Sequence, residues 1–95
     1  MPYAYVIGHI TVKDPTKWAE YRSQVPGTLT PWSAELLLRS KLAEVLSGEH
    51  THTDTVVIRF PDLAAARGWH ASAAYQALIP LRRQAADVTL LLFEE

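Results

Sequence analysis

The chain has 95 residues, enough for one domain with a modest hydrophobic core. Nine lysine and arginine residues nearly balance ten aspartate and glutamate residues, and no basic face interleaved with aromatic residues occurs, so we expect no nucleic-acid partner. The absence of cysteine excludes disulfides and thiolate metal sites.

Residues 3–12 predict the first strand, because the side chains alternate and β-branched and aromatic residues are frequent. The even-numbered residues from Val6 to Val12 form an apolar face, which we assign to the core. The odd-numbered face carries Tyr5, His9 and Thr11 and is mixed. Such a face is typical of a sheet whose second side meets a partner or a cavity.

Asp14 and Pro15 predict a helix start, since Asp accepts hydrogen bonds from free amides and Pro is favoured at the first helical position. The inward face recurs at helical spacing and comprises Trp18, Tyr21, Arg22 and Val25. Pro26–Gly27 predicts an interruption of this helix. Residues 28–32 then predict an irregular turn or a further short helix.

Residues 34–39 and 42–46 predict two strands of a hairpin, joined by a tight turn at Ser40–Lys41. The following segment, residues 47–54, is polar and predicts a turn. Residues 55–60 predict a further strand, because β-branched side chains dominate it.

Asp62 predicts the start of the second helix, with Leu63, Ala66 and Trp69–His70 on its inner side. Ser72 breaks this pattern and predicts the cap of a continuation, in which Pro80 indicates a kink or the end of regular helix. Residues 88–93 predict the last strand, apolar on both faces as a central or dimer-buried strand would be.

This order predicts an α+β fold for a single domain over residues 1–95, the ferredoxin-like split βαβ sandwich. Right-handed crossovers place both helices on one face of the antiparallel sheet. The other face is apolar and must be covered, and two sheets packed face to face form a dimeric α+β barrel. The hydrophobic fraction of 48%, with three Trp and four Tyr, also favours a homodimer.

The N-terminal sequence MPYAYVIGHI lacks a basic region and a small-residue cleavage site, and no apolar run reaches membrane-spanning length. We therefore expect a cytoplasmic protein with no membrane partner.

Several segments carry a family pattern over nearly the whole chain: YVIGHITVKDPTKWAEYRSQVP, LLLRS, EVLSGEH and TVVIRFPDLAAARGWHASAAYQALIPLR. Together they resemble the bacterial domain-of-unknown-function 1330 family. The resemblance implies a ferredoxin-like dimeric α+β barrel with a pocket between the sheet and the helices, and it implies no reaction. The chain departs from its relatives at His9 and Arg59, where they tend to carry carboxylates, and at His70, where they carry an aromatic residue.

His9 and His70 are the candidate proton-transfer residues, because imidazole titrates near neutral pH. For His9, the alternative is a hydrogen-bonded histidine at a sheet or dimer surface. Arg39 is a candidate for holding a carboxylate or an enolate oxygen. The alternative for Arg39 is an ion pair with Glu35, Glu44 or Glu49.

Trp69 and Tyr75 are candidate walls for a flat apolar ligand, with Ser72 or Tyr75 as hydroxyl donor. Core packing explains Trp69 equally well, and capping explains Ser72 better. We assign Tyr75 a catalytic role and Ser72 and Trp69 a ligand-binding role. The other expected ligand-binding residues are Tyr5, Tyr21, Trp32 and Arg59, and Arg59 alternatively pairs with Glu94 or Glu95.

His50, His52 and Asp54 stand at alternate positions, which is enough for a divalent ion if the segment is extended. This spacing is common in polar turns and no orienting partner is evident. No phosphate-binding glycine loop and no strained nucleophile elbow occurs either. We therefore expect no metal and no cofactor.

Three functions remain open. The first is a cofactor-independent isomerase, cyclase or oxygenase that acts on a small apolar or aromatic carbonyl compound by histidine-mediated proton transfer. The second is a binding protein for a small hydrophobic metabolite. The third is a purely structural dimer, which predicts close packing around Tyr21, Trp69 and Tyr75 in place of a cavity.

Overall fold

The computed structural model of the chain describes residues 2–95, which form a four-stranded antiparallel sheet with helices on one face. The strands have the order β2-β3-β1-β4. The elements along the chain are β1 (Ala4–Val12), α1 (Pro15–Leu29), β2 (Glu35–Lys41), β3 (Asp54–Phe60), α2 (Leu63–Ala71), α3 (Ala73–Gln76), α4 (Ile79–Ala85) and β4 (Ala86–Glu94). This architecture confirms the predicted ferredoxin-like α+β fold.

The core lies between the helices and the even-numbered face of β1, as the alternation predicts. Val6 of β1 lies opposite Ile58 of β3 and Leu92 of β4. The largest fully buried side chains are Phe60, Trp69 and Tyr75. The core therefore joins the centre of the sheet to α2 and α3.

Helix α1 begins as predicted and ends later than predicted. The Asp14 carboxylate accepts hydrogen bonds from the amides of Thr16 and Lys17. The helix runs through Pro26 and Gly27 to Leu29, so the predicted interruption is wrong. The last two residues of the helix, Thr28 and Leu29, are buried against the core. Their burial offsets the loss of the backbone hydrogen bond that Pro26 cannot donate.

The predicted hairpin between residues 34–39 and 42–46 is also wrong. Ser40 and Lys41 continue strand β2, and residues 42–46 are irregular. The partner of β2 is β3, with Lys41 opposite Asp54 at the end of the pair that adjoins the connecting loop. The Leu42 amide donates to the Thr53 carbonyl, so residues 42–53 form one long loop between the two strands.

The second helical region is divided into three helices. The Asp62 carboxylate accepts from the Ala65 amide and caps α2, and the Ser72 hydroxyl accepts from the Tyr75 amide and caps α3. Pro80 lies in the first turn of α4, where its missing N–H costs nothing, so it accompanies a helix start and not an end.

The outer face of the sheet, opposite the helices, carries apolar side chains. By register, Leu38 of β2 lies beside Val57, while Leu91 and Phe93 of β4 flank Ile7 and Tyr5. Strand β4 is an edge strand of this sheet, so the first of its two predicted positions, a central one, is wrong, and burial in a dimer stays a prediction. Between residues 2 and 95, no helix is long and apolar enough to cross a membrane.

Candidate functional site

A cavity of about 390 Å³ opens between α1 and the strands β2 and β3. Its walls are mainly apolar and aromatic. They include Trp18, Tyr21, Leu29, Val56, Ile58 and Trp69. The buried lining residues form its inner end: Ile10, Tyr21, Leu29, Ile58 and Trp69.

Charged side chains line the same cavity where it approaches the edge strand β2. Arg22 of α1 and Arg39 and Lys41 of β2 are exposed, and Asp54 at the start of β3 is half-buried. Among the described residues, the ion pairs are Lys13–Asp87 and Arg59–Glu35, so the alternative ion pair of Arg39 with a glutamate does not form. The cavity therefore has an apolar interior and a charged mouth.

The Tyr21 side chain contributes to the cavity wall, and its hydroxyl belongs to a hydrogen-bond chain that leads into the core. Its oxygen lies 2.9 Å from the Tyr75 hydroxyl oxygen, and Arg82 Nη1 donates to Tyr75 at 2.8 Å. Burial, with a smaller contribution from Tyr75, raises the pKa of Tyr21 well above its ordinary value of 10.0. Tyr21 therefore stays protonated at neutral pH and acts as a hydrogen-bonding group, not as a base.

Trp69 belongs both to the core and to the cavity. Its side chain is 1% exposed, and its indole Nε1–H donates to the Thr28 hydroxyl at 3.0 Å. Thr28 in turn donates to the Val25 carbonyl. The indole ring lies 4.1 Å from the Tyr75 ring, measured between centroids. These contacts hold Trp69 rigidly where it contributes to the cavity wall.

Tyr75 and three other predicted residues near α2 do not line this cavity. Tyr75 is fully buried and reaches the cavity only through Tyr21. His70 is exposed and borders a separate depression of about 270 Å³ beside β4. Ser72 caps α3, and the Trp32 ring lies against Gly68, where any side chain would collide with the indole.

His9, Tyr5 and Arg59 lie on the outer face of the sheet. His9 is hydrogen-bonded through Nδ1 to the Thr55 hydroxyl at 3.2 Å, and the Tyr5 hydroxyl donates to Glu95 at 2.7 Å. Arg59 pairs with Glu35 and stacks on the Tyr3 ring, so its predicted pairing with Glu94 or Glu95 is wrong. The structure thus separates His9 from Arg39, Tyr21 and Trp69.

The segment His50–Asp54 does not gather its polar residues on one side. The rings of His50 and His52 lie 5.0 Å and 6.4 Å from the His9 ring on the outer face, whereas Asp54 lines the cavity. From residue 2 to residue 95, no group of three His, Asp or Glu side chains is arranged to hold a metal ion.

Sequence reasoning missed Arg22, Lys41 and Asp54 as cavity residues. Arg22 stands on the predicted inward face of α1, and that position is the signal in the sequence that could have identified it. Lys41 and Asp54 were assigned to turns, because the pairing of β2 with β3 was not recognised. That pairing places both residues on the helix-covered side of the sheet.

Comparison with known families finds that the model of a domain of unknown function (DUF1330) matches residues 3–95. No curated protein is similar enough in sequence to count as a relative. The fold is shared with several solved structures of low sequence identity. One is the RPA0582 protein of unknown function from Rhodopseudomonas palustris, with a TM-score of 0.81 and 12% identity over 99% of this chain and 82% of that one.

Two further structures have the same fold. A dimeric ferredoxin-like protein of unknown function from Jannaschia sp. CCS1 has a TM-score of 0.75 and 10% identity, covering 98% of this chain and 99% of that one. SnoaB, a cofactor-independent oxygenase from Streptomyces nogalater, has a TM-score of 0.69 and 15% identity, covering 98% of this chain and 92% of that one.

Proposed function

Because the chain belongs to the DUF1330 family of domains of unknown function, we propose its function from the cavity: it binds a small apolar or aromatic carbonyl compound without a cofactor. The observation that carries the proposal is an open cavity of about 390 Å³ with apolar walls and a few polar groups, the usual composition of a small-molecule site. A purely structural dimer predicts close packing beside Tyr21 and Trp69, and the cavity argues against it.

The substrate carbonyl lies near Tyr21 in this proposal. A hydroxyl that remains protonated at neutral pH donates to a carbonyl oxygen, and the same bond strengthens when that oxygen becomes an enolate. Tyr75 and Arg82 are positioning residues, because they hold the Tyr21 hydroxyl from behind. Arg39 at the mouth stays the candidate for a second oxygen of the ligand.

Asp54, in place of the predicted His9 and His70, is the proton-transfer residue of this proposal. It is the carboxylate among the cavity-lining residues, whereas neither histidine lines this cavity. In the proposed step the Asp54 carboxylate accepts a proton from the carbon next to the carbonyl, which leaves an enolate held by Tyr21. The reaction classes that begin with this step are isomerisation, cyclisation and cofactor-free oxygenation.

The likeness to SnoaB, a cofactor-independent oxygenase, is consistent with this chemistry but rests on the fold alone. His9 keeps a catalytic role only for a site on the outer face of the sheet. The alternative function is a binding protein that performs no chemistry in the same cavity.

Binding is tested by calorimetric titration with 2-acetonaphthone, a neutral aromatic ketone. Val25 lines the cavity, so Val25→Trp fills it, and Val45→Trp in the exposed loop 42–53 is the matched control. We expect saturable binding to the wild-type protein and the control, and loss of binding in Val25→Trp. Equal affinity in all three proteins would contradict the proposal.

Chemistry is tested by following exchange of the ketone's methyl protons in heavy water by NMR. We expect the wild-type protein to accelerate the exchange, and Asp54→Asn to abolish the acceleration without weakening ketone binding. Binding without accelerated exchange in the wild-type protein would favour the alternative of a binding protein.

We also propose that the protein is a homodimer in which two sheets pack through their outer faces. The exposed apolar side chains Leu38, Leu91 and Phe93 support this proposal, because an apolar sheet face of this kind needs a partner. The description of a structural neighbour as a dimeric ferredoxin-like protein is in agreement.

A further inference from the structure

We propose that the ligand of this cavity is an organic anion, an apolar or aromatic body that carries a carboxylate. The inference rests on the proposed binding function and adds the charge of the ligand and its orientation.

Three cations line the cavity, Arg22, Arg39 and Lys41, and one carboxylate, Asp54, accompanies them. Three positive charges against one negative charge leave an excess of two. The whole chain has nine Lys and Arg against ten Asp and Glu, so its average surface has no such excess. The positive charge is therefore a local property of this mouth.

Within the described part of the chain, Arg22, Arg39 and Lys41 form no ion pair. Neither of its ion pairs involves them, and Lys41 forms none with Asp54 although the two residues lie opposite each other in the register. Cations that neutralise no carboxylate of the chain remain available to an anionic ligand. The planar fork of an arginine fits a carboxylate through two parallel hydrogen bonds.

The position of the charges sets the orientation of the ligand. Arg22, Arg39 and Lys41 are exposed, whereas the walls formed by Trp69 and Ile58 are buried. An apolar body lies favourably against the buried walls, and the carboxylate stays at the mouth, where it keeps part of its hydration. A neutral ligand of the same shape gains the apolar contact with the buried walls but no attraction to the cations.

The test compares 2-naphthoate with 2-acetonaphthone, which has nearly the same shape and no charge, by calorimetric titration at low ionic strength. We expect 2-naphthoate to bind about tenfold more tightly, because each of two excess charges at an exposed site contributes a factor of about three. High salt weakens 2-naphthoate binding selectively.

The triple variant Arg22→Gln, Arg39→Gln and Lys41→Gln should lose the preference for 2-naphthoate and keep its affinity for the ketone. Arg83→Gln, at an exposed position of α4, is the matched control and should retain the preference. Asp54→Asn removes the opposing charge and should raise 2-naphthoate affinity about threefold.

Equal affinity of the wild-type protein for the two compounds would overturn the anion inference and leave the binding function intact. A preference for 2-naphthoate that survives the triple variant would overturn it as well. Failure of both compounds to bind would instead overturn the proposed binding function on which the inference rests.

Discussion

The phenolic oxygens of Tyr21 and Tyr75 lie 2.9 Å apart, and their hydrogen bond joins α1 to α3 inside the core. Arg82 of α4 donates to the same Tyr75 oxygen at 2.8 Å. Three helices therefore meet at one pair of hydroxyl groups beside the cavity. This arrangement fixes the Tyr21 hydroxyl before any ligand arrives, which lowers the cost of orienting it.

Replacement of Tyr75 by Phe should destabilise the protein by about 1–3 kcal/mol, because the buried Tyr21 hydroxyl loses its hydrogen-bond partner and Arg82 loses its acceptor. The measurement is the free energy of unfolding in urea. Tyr3→Phe is the matched control, since Tyr3 is exposed and Phe keeps the ring on which Arg59 stacks. An unfolding midpoint for Tyr75→Phe equal to that of Tyr3→Phe would show that the chain Tyr21–Tyr75–Arg82 adds no stability.

Local sequence signals predict the starts of α1, α2 and α3 and the central strands β1 and β3, because the relevant contacts lie within a few residues, whereas the start of α4 at Ile79 and Pro80 was missed. The Asp14 cap involves only the next three residues, and the alternation in β1 reports directly on its two faces. The predicted hairpin is wrong because residues 42–46 are apolar enough for a strand but do not form one. Which segment pairs with β2 depends on contacts with β3 across the loop 42–53, and these contacts are distant in sequence.

The alternation of β1 already separated His9 from the core face, and with it from a pocket beneath the helices. The prediction that His9 acts in catalysis together with Arg39 rests on residue chemistry alone. Tyr21 and Trp69, by contrast, were assigned to inner helix faces and do line the cavity. The convergence of Arg22 with Lys41 depends on how α1 lies over β2, and no local pattern reports that geometry.

The stability of the protein should fall as the pH falls through the ordinary histidine pKa of 6.5, and His9 accounts for part of the effect. Desolvation, followed by the charges on His50 and His52, lowers the pKa of His9 below its ordinary value of 6.5. At high pH the imidazole is neutral in the folded and unfolded chains alike. On acidification the unfolded chain takes up its proton first, so stability is lost until the pH passes the folded pKa of His9.

Thermal unfolding between about pH 8 and about pH 5 measures this loss, and NMR titration measures the pKa of His9 directly. His9→Gln should make the loss smaller, and His50→Gln should raise the pKa of His9 because it removes one neighbouring charge. His70→Gln is the control, since His70 lies on α2, away from the histidines of the outer face. A His9 pKa that is equal in the wild-type, His50→Gln and His70→Gln proteins would rule out coupling between His9 and His50.

Leu91→Arg should convert the proposed homodimer into a monomer. Leu91 lies beside Ile7 on the outer face of β4, and a charge at this position would be buried without a partner between two packed sheets. Leu46→Arg is the matched control, because Leu46 is 89% exposed in the loop 42–53. Light scattering at micromolar concentration should give a dimer mass for the wild-type and control proteins and a monomer mass for Leu91→Arg. A compact wild-type monomer under these conditions would contradict the homodimer, and the exposed apolar face would then need a different occupant.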